Sequence, residues 1–495
     1  MTQFLKSNCW MRAIASVAVC CQLTIAGSPS LAADGLEREA VAEAQRRAVK
    51  FFHDQVAVHN GYVYQVSADL KFREGEGDAG ASSVWVQPTG TPAVGMAYVE
   101  AYERTGDDYL LDAAKDTAAC LLKGQLHSGG WLNHIDFDSP QREKVAYRVD
   151  GPRRKRARNW SSFDDDQTQA ALRFMMKLDR ALQFKDAAIH EATLFALEAV
   201  VRNQYPNGAW AQGFEEIDRS RDYPDVPASY PESWPRKHPG GDYWQFYTLN
   251  DQSLVRVMQT VWLAGEIYGE QKYRQAALKG GDFLLRAQMP DPQPAWAQQY
   301  NYDMQPIWAR KFEPASVSGG ESQVVIEALL KLAVDAGESK YLAPIPRALD
   351  YLQSSLLPDG RVARFYELKT NRPLYFTKQY ELTYDDGDMP THYGFIVNSS
   401  LPKLRARYDK LKGLSSTELK ELGDKEKSRQ AKAPSTETVK KIIASLDDRG
   451  AWVEPGKLRY IKAAPAERPM ILSETFISNL EQLSRYLALA TNAPR

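Results

Sequence analysis

Cysteine is scarce in this 495-residue chain, with four in all: Cys9, Cys20, Cys21 and Cys120. The first three lie in or before an N-terminal apolar stretch, so a chain processed after that stretch keeps one thiol and has no intramolecular disulfide. Stability must then come from a large apolar core. Cys120 falls in the helical run Ala113 to Leu122 and reads as an inert, buried residue. Histidine is sparse too, and none of the seven stands at His-x-x-x-His spacing, which speaks against zinc chemistry. Neither sign of charge prevails, with 62 Lys+Arg against 63 Asp+Glu. Composition therefore implies neither a nucleic acid nor a membrane surface as partner.

The N-terminus has no apolar run long enough for a spanning helix. Lys6 and Arg12 precede Ala13 to Val19, Cys20, Cys21 and Leu23 to Ala26, and Ser30-Leu31-Ala32 follows. A basic start, an apolar core of about a dozen residues and a small-x-small ending describe a secretory signal peptide. The expectation is a signal peptide over 1–32 and a secreted or periplasmic mature protein from about Ala33, without stable membrane association.

What the chain does have is repetition. Four times between Pro92 and Arg364 a helical stretch, a break, a second helical stretch and a turn recur. The turns are Gln125 to Trp131, Gln204-Tyr205-Pro206-Asn207-Gly208-Ala209-Trp210, Gln288 to Trp296 and, in degenerate form, Leu357 to Arg361. At about 70 residues per repeat, one helical array is more economical than several unrelated folds, and turns at one end of a ring share a face. The predicted fold is all-α: an α/α barrel (toroid) of helical hairpins with long loops and a few short strands at the cleft. Residues 33–91 read as an N-terminal helix, about 35 to 58, with a loop and short-strand segment packed on the barrel; 92–495 form the barrel domain. Two insertions interrupt it. The stretch near 215–241, with five prolines, predicts an ordered loop over the ring mouth. The charged stretch near 408–440 predicts a solvated excursion with helical signals around Ser416 to Leu422.

Acidic and polar residues open the last three hairpins: Asp164-Asp165-Asp166, Asn250-Asp251 and Ser318-Gly319-Gly320-Glu321-Ser322. Such residues satisfy free amides at helix starts. Three adjacent aspartates ask for more, because like charges repel unless a cation or basic group compensates. Carboxylate oxygens of this kind suit Ca²⁺. The basic run Arg153-Arg154-Lys155-Arg156-Ala157-Arg158 just upstream reads either as a solvated loop or as a contact for a polyanionic polymer. Trp131, Trp210 and Trp296 read either as core or as sugar-stacking platforms.

Phe163-Asp164-Asp165-Asp166-Gln167-Thr168 followed by Arg173-Phe174 resembles the Ile-Asp-Asn-Asp/Gly-Ala-Thr … Arg-Phe motif of the family 10 pectate lyases. Gln204 to Trp210 is similar to their Gln-Tyr-Pro-Asn-Gly-Gly-Trp, and Leu249-Asn250-Asp251 to their Asn-Asp-Asp segment. Ala309-Arg310-Lys311-Phe312-Glu313-Pro314 with Ser318 to Ser322, Arg364 to Glu367 with Asn371-Arg372-Pro373, and Trp452-Val453-Glu454 with Thr475-Phe476-Ile477 continue the resemblance in order, over roughly Gly90 to Leu487. It implies an α/α barrel, Ca²⁺ and β-elimination of polygalacturonate. It assigns Asp164 to the active centre and the metal, with Asp251 and Glu321 as further ligands, and Arg310 as proton acceptor. Asp165, Asn207, Trp210, Arg364 and Arg372 would contact an acidic polysaccharide. A structural or substrate-pairing role for Arg310 stays open, since an arginine base requires a guanidine that has lost its proton. Three departures stand out: Asp165 replaces the family asparagine, Tyr300-Asn301 stands where a His-Asp pair is expected, and the Pro-rich insertion is longer.

An inverting glycoside hydrolase on a similar helical ring is the main alternative, with two of Asp164, Asp251 and Glu321 held roughly 6.5–9.5 Å apart. A non-catalytic binding protein for an acidic glycan is a third reading. No nucleic acid partner is expected, and a monomer is.

Overall fold

The computed structural model describes residues 36–428, 432–462 and 467–491; the expected signal peptide lies outside them. Helices α1 (Arg38–Phe51), α2 (Thr91–Thr105), α3 (Asp108–Gly124), α4 (Ser139–Arg142), α5 (Gln167–Ala181), α6 (Ala187–Arg202) and α7 (Ser253–Ile267) make up the first half. The second holds α8 (Gln271–Arg286), α9 (Gly319–Ala336), α10 (Ile345–Ser354), α11 (Leu401–Leu411), α12 (Ser416–Ser428), α13 (Thr436–Ala444) and α14 (Ser473–Thr491).

Burial sorts them into two layers. In α3 the buried positions include Leu110, Ala113, Ala114, Thr117, Ala118 and Leu121, one stripe at three- and four-residue steps, and α8 repeats it with Tyr273, Ala276, Ala277, Gly280, Gly281 and Leu284. Those are outer helices with one face in solvent. In α9, by contrast, Val325, Ile326, Ala328, Leu329, Leu330 and Leu332 to Val334 are buried on nearly every side. The inner course runs α14, α2, α5, α7, α9, each packed on the next; α3, α6 and α8 lie outside it, α10 to α12 back α9, and α1 and α13 back α14. This is an α/α toroid.

Each repeated turn has a defined task. Trp131, Trp210 and Trp296 are fully buried. Their indole N–H groups donate to Leu121 O (2.8 Å), Val200 O (3.0 Å) and Leu284 O (2.8 Å), carbonyls in the last turn of the preceding helix that have no partner within it. The glutamine that opens each turn bonds twice. Gln125 donates to Gly129 O and Ala192 O, Gln204 to Gly208 O and Ala276 O, and Gln288 to Pro294 O and Pro344 O, tying its own turn to the next outer helix or the residue before it. In the degenerate fourth turn Tyr366 stands in for the tryptophan, its hydroxyl donating to Ser355 O at 2.6 Å.

Short strands line the end where the inner helices begin. Antiparallel pairs join Val84–Trp85 to His134–Ile135, Ser161–Ser162 to Gly213–Phe214, and Tyr247–Thr248 to Gln299–Tyr300. Ser316–Ser318 pairs with Phe365–Glu367, which continues to Pro373–Phe376 and Leu382–Thr383. Every inner helix from α2 to α9 thus starts just after a strand, and the starts gather at one rim.

Two expectations need correction. The helix foreseen over 35 to 58 stops at Phe51 and continues as one wider turn, Phe52–Val56. The stretch near 408–440 is no solvated excursion. It forms α12 and α13 with buried Leu411, Leu419 and Val439, and α12 packs on α9; the charges cover only its outer face. The 215–241 insertion contains no helix or strand but is anchored, by Arg286 to Asp225, Ala228 N to Arg286 O and His238 to Ala309 O.

Candidate active site

The inner helices α5 and α7 begin with the same unusual turn. Asp165 (φ 44°) and Asp166 (φ 65°) are both left-handed, and so are Asp251 (φ 49°) and Gln252 (φ 63°). An N-capping residue needs extended backbone, so neither helix has a side-chain cap. The capping role foreseen for these acids is replaced by another. Ser318 does cap α9, accepting from Glu321 N. Consecutive left-handed non-glycine residues cost about 1–3 kcal/mol each and persist where surrounding structure enforces them, often at functional sites.

The turns sort the acids by direction. Asp166 points inward and accepts from Arg173 (2.5 Å) and Arg256 (2.8 Å), clamping α5 to α7. Asp164, Asp165 and Asp251 point to the rim, where one carboxylate oxygen from each lies within 4.8 Å of the other two. Gln87 donates to Asp165 at 3.1 Å and Asn250 to Asp251 at 2.8 Å. Asp164 Oδ1 is buried without a hydrogen bond.

Arg310 enters from the loop before α9. A tight turn holds it: Glu313 N donates to Arg310 O, Arg310 N to Glu313 Oε2 (3.0 Å) and Trp308 Nε1 to Arg310 O (2.8 Å). Its Nη2 lies 3.2 Å from Asp251 Oδ2 and 3.6 Å from Asp164 Oδ1, and its Nε donates to Tyr243 Oη at 3.4 Å. Burial opposes the charged guanidinium, but Glu313, Asp164 and Asp251 outweigh it and raise the pKa. The carboxylates respond the other way. Burial, with Asp164 and Glu76 adding repulsion, lifts Asp165 to about 6. Burial, opposed by Arg310 and reinforced by Asp165, Asp164 and Glu321, lifts Asp251 to about 7.

Glu321 does not join the three aspartates. Its carboxylate takes Arg364 Nη1 at 3.0 Å and Ser318 Oγ, so of the foreseen ligands Asp164, Asp251 and Glu321 only the two aspartates gather, and Asp165 is the third acid beside them. Arg364 also donates to Gly394 O at 2.7 Å and lies 4.8 Å over the Tyr393 ring. Tyr393 in turn donates to Glu313 at 3.0 Å, linking the two arginine sites. Arg372 is exposed farther along the same strand pair, its guanidinium on the ring of Tyr384. Trp210 and Asn207 cannot touch a polymer: the first is fully buried, and the second is 3% exposed with its Oδ1 accepting from Ala209 N inside the turn. Tyr300 and Asn301 are structural as well. Tyr300 is buried with its hydroxyl on Ala287 O, and Asn301 Oδ1 accepts from Asp303 N and Gln305 N.

Sequence reasoning missed Gln87, Tyr243 and Tyr393. Gln87 lies before the first hairpin, and the tyrosines sit in or beside irregular loops that show no periodicity.

Three carboxylates around one guanidinium leave net negative charge, and one buried oxygen lacks a hydrogen bond. Hard oxygen donors with that excess fit a divalent cation such as Ca²⁺. An α/α toroid with such a carboxylate–arginine centre at its rim is the class of protein this fold and site define. Residues 125–339 match the family model described as pectic acid lyase. That matching segment carries Asp164, Asp165, Asp251, Arg310 and Glu321. A search of curated proteins gave no match. Among solved structures, the chain is similar to a point mutant of family 10 polysaccharide lyase from Cellvibrio cellulosa in complex with trigalacturonic acid (18% identity, TM-score 0.44, covering 65% of this chain and 99% of that one). It is also similar to cellobiose 2-epimerase from Bacillus thermoamylovorans B4167 (12% identity, TM-score 0.43, 91% of this chain and 99% of that one).

Proposed function

We propose that the protein is an exported, monomeric pectate lyase that cleaves polygalacturonate by Ca²⁺-assisted β-elimination and releases 4,5-unsaturated oligogalacturonides. The observation that carries the reading is Arg310 held among Asp164, Asp165 and Asp251 inside the segment that matches the family model. In β-elimination a base takes the C5 proton, the electron pair forms the C4–C5 double bond, the C4–O bond breaks, and the leaving oxygen gains a proton from solvent. Negative charge accumulates on the uronate carboxylate next to C5, and stabilising it is the main catalytic demand. A cation bound by Asp164, Asp165 and Asp251 supplies positive charge to that carboxylate.

Arg310 is the proton acceptor in this reading. Asp164 and Asp251 are two of the three groups whose charge raises its pKa. Neutralising both would lower that pKa and leave Glu313 and Tyr243 to hold the guanidinium against burial. Arg364, fixed by Glu321 and Gly394 O, is placed to pair with a neighbouring uronate carboxylate.

The test is turnover of polygalacturonate followed by ultraviolet absorbance, with Ca²⁺ or with chelator, in the wild type and in Arg310→Lys. Lysine keeps a positive charge but not the planar fork. Expected are absorbance growth that chelator abolishes and a loss of at least about 100-fold in Arg310→Lys, the usual scale for a lost acid–base group. Reducing ends appearing without absorbance would identify a hydrolase, and near-normal Arg310→Lys would remove Arg310 from the base role.

A further inference from the structure

Beside the three aspartates lies a cavity of about 400 Å³ that the proposed chemistry does not use. Asp164 forms one edge, and the remaining walls include Arg158, Trp160, Gln212, Tyr243 and Trp244. Tyr243 connects the two spaces, since its hydroxyl accepts from Arg310.

The basic run gains a meaning here. Arg153 pairs with Glu215 and Arg154 with Glu143, so both are neutralised locally. Arg158 is exposed, and among the described residues no carboxylate lies within ion-pair distance of it. Its backbone is fixed on both sides, Arg158 N donating to Lys144 O (2.8 Å) and Ala146 N to Arg158 O (2.9 Å). An arginine anchored at the backbone and unpaired at the guanidinium is ready for a carboxylate ligand. Trp244 is 41% exposed, high for the largest aromatic side chain, although its carbonyl is held by Gln212 N at 3.1 Å. An exposed, positioned indole offers a flat apolar face to a sugar ring. The volume falls in the range of small-molecule sites.

We infer that this cavity is a uronate subsite next to the reacting ring, seating another sugar of the same chain with its carboxylate on Arg158 and its apolar face on Trp244. The inference rests on the polysaccharide reading above and adds residues from the basic run and from just after the Pro-rich insertion. Binding of trigalacturonate and of its methyl ester, in the presence of Ca²⁺, is measured by titration calorimetry and tryptophan fluorescence in the wild type, Arg158→Gln and Trp244→Ala. Steady-state kinetics on polygalacturonate accompany it.

The wild type should prefer the free acid to the ester. Arg158→Gln should shrink that preference by roughly tenfold and raise KM by a similar factor, the scale of one charge-assisted hydrogen bond, with kcat nearly unchanged. Trp244→Ala should weaken acid and ester alike and remove the fluorescence response. Unchanged thermal midpoints in both variants exclude a folding effect. Wild-type cleavage with Arg158→Gln preferring the acid as strongly as the wild type overturns the subsite alone. A wild type that neither binds nor cleaves galacturonates overturns the functional reading and the subsite with it.

Discussion

Asp251 and Asp165 are carboxylates that their surroundings push toward the neutral form, to about 7 and about 6. Their folded pKa values exceed the unfolded ones, so their contribution to stability is complete below about pH 4 and is lost as pH rises through the folded values. In chelator, the thermal midpoint should therefore fall from about pH 5 to about pH 8 more steeply in the wild type than in Asp251→Asn. Equal slopes would show that Asp251 does not carry the effect. Protons and Ca²⁺ compete for the same oxygens, so Ca²⁺ affinity should weaken as pH drops through about 7, and added Ca²⁺ should raise the midpoint more at the higher pH. Calorimetric titration at several pH values checks it. At this scale the sequence was informative where charge was improbable without compensation, at the aspartate triplet, two of whose members reach the rim; Arg310, which the family resemblance singled out, lies against Asp164 there. It misled at Glu321, because the Arg364 and Ser318 side chains that claim its carboxylate are matters of geometry.

Turns and helix ends are where residue type and role diverged. The recurring tryptophans were visible in sequence, but periodicity cannot separate a sugar platform from a helix-end plug. Here Trp131, Trp210 and Trp296 each satisfy a carbonyl in the last turn of a helix. Trp210→Phe keeps most of the apolar bulk and leaves Val200 O without its donor, which should cost about 1–3 kcal/mol in denaturant unfolding. KM for polygalacturonate should stay put; a raised KM at unchanged stability would return Trp210 to the cleft. Helix positions were legible because each outer helix shows one apolar stripe. The caps of α5 and α7 were not, since aspartates before a helix look alike whether the backbone is extended or left-handed.

On the scale of the whole molecule, the chain closes on itself. Gln65–Ser67 pairs with Glu467–Leu472, α14 packs on both α1 and α2, and Phe52 stacks on Phe476 with ring centres 3.9 Å apart. Phe476→Ala should remove about 3–5 kcal/mol of stability. It should also lower the single thermal transition of the ring as a unit, while separate early melting of the N-terminal segment would show that closure is not cooperative. The repeat made the toroid legible, but a charged sequence hid α13 and the docking of α12, whose helical signal around Ser416 to Leu422 was visible; the few buried residues of both helices dock a mostly solvated surface. The paired left-handed turns at 164–166 and 250–252 bear on how such a protein can evolve. Each carboxylate is aimed by the number of residues between strand and helix. One inserted or deleted residue there would swing it about 100° around the helix axis, whereas a substitution leaves its bearing intact. Descendants of this chain are thus freer to change the chemistry of these loops than their length, and new substrates are reached more readily by replacing rim residues than by resizing the turns that carry them.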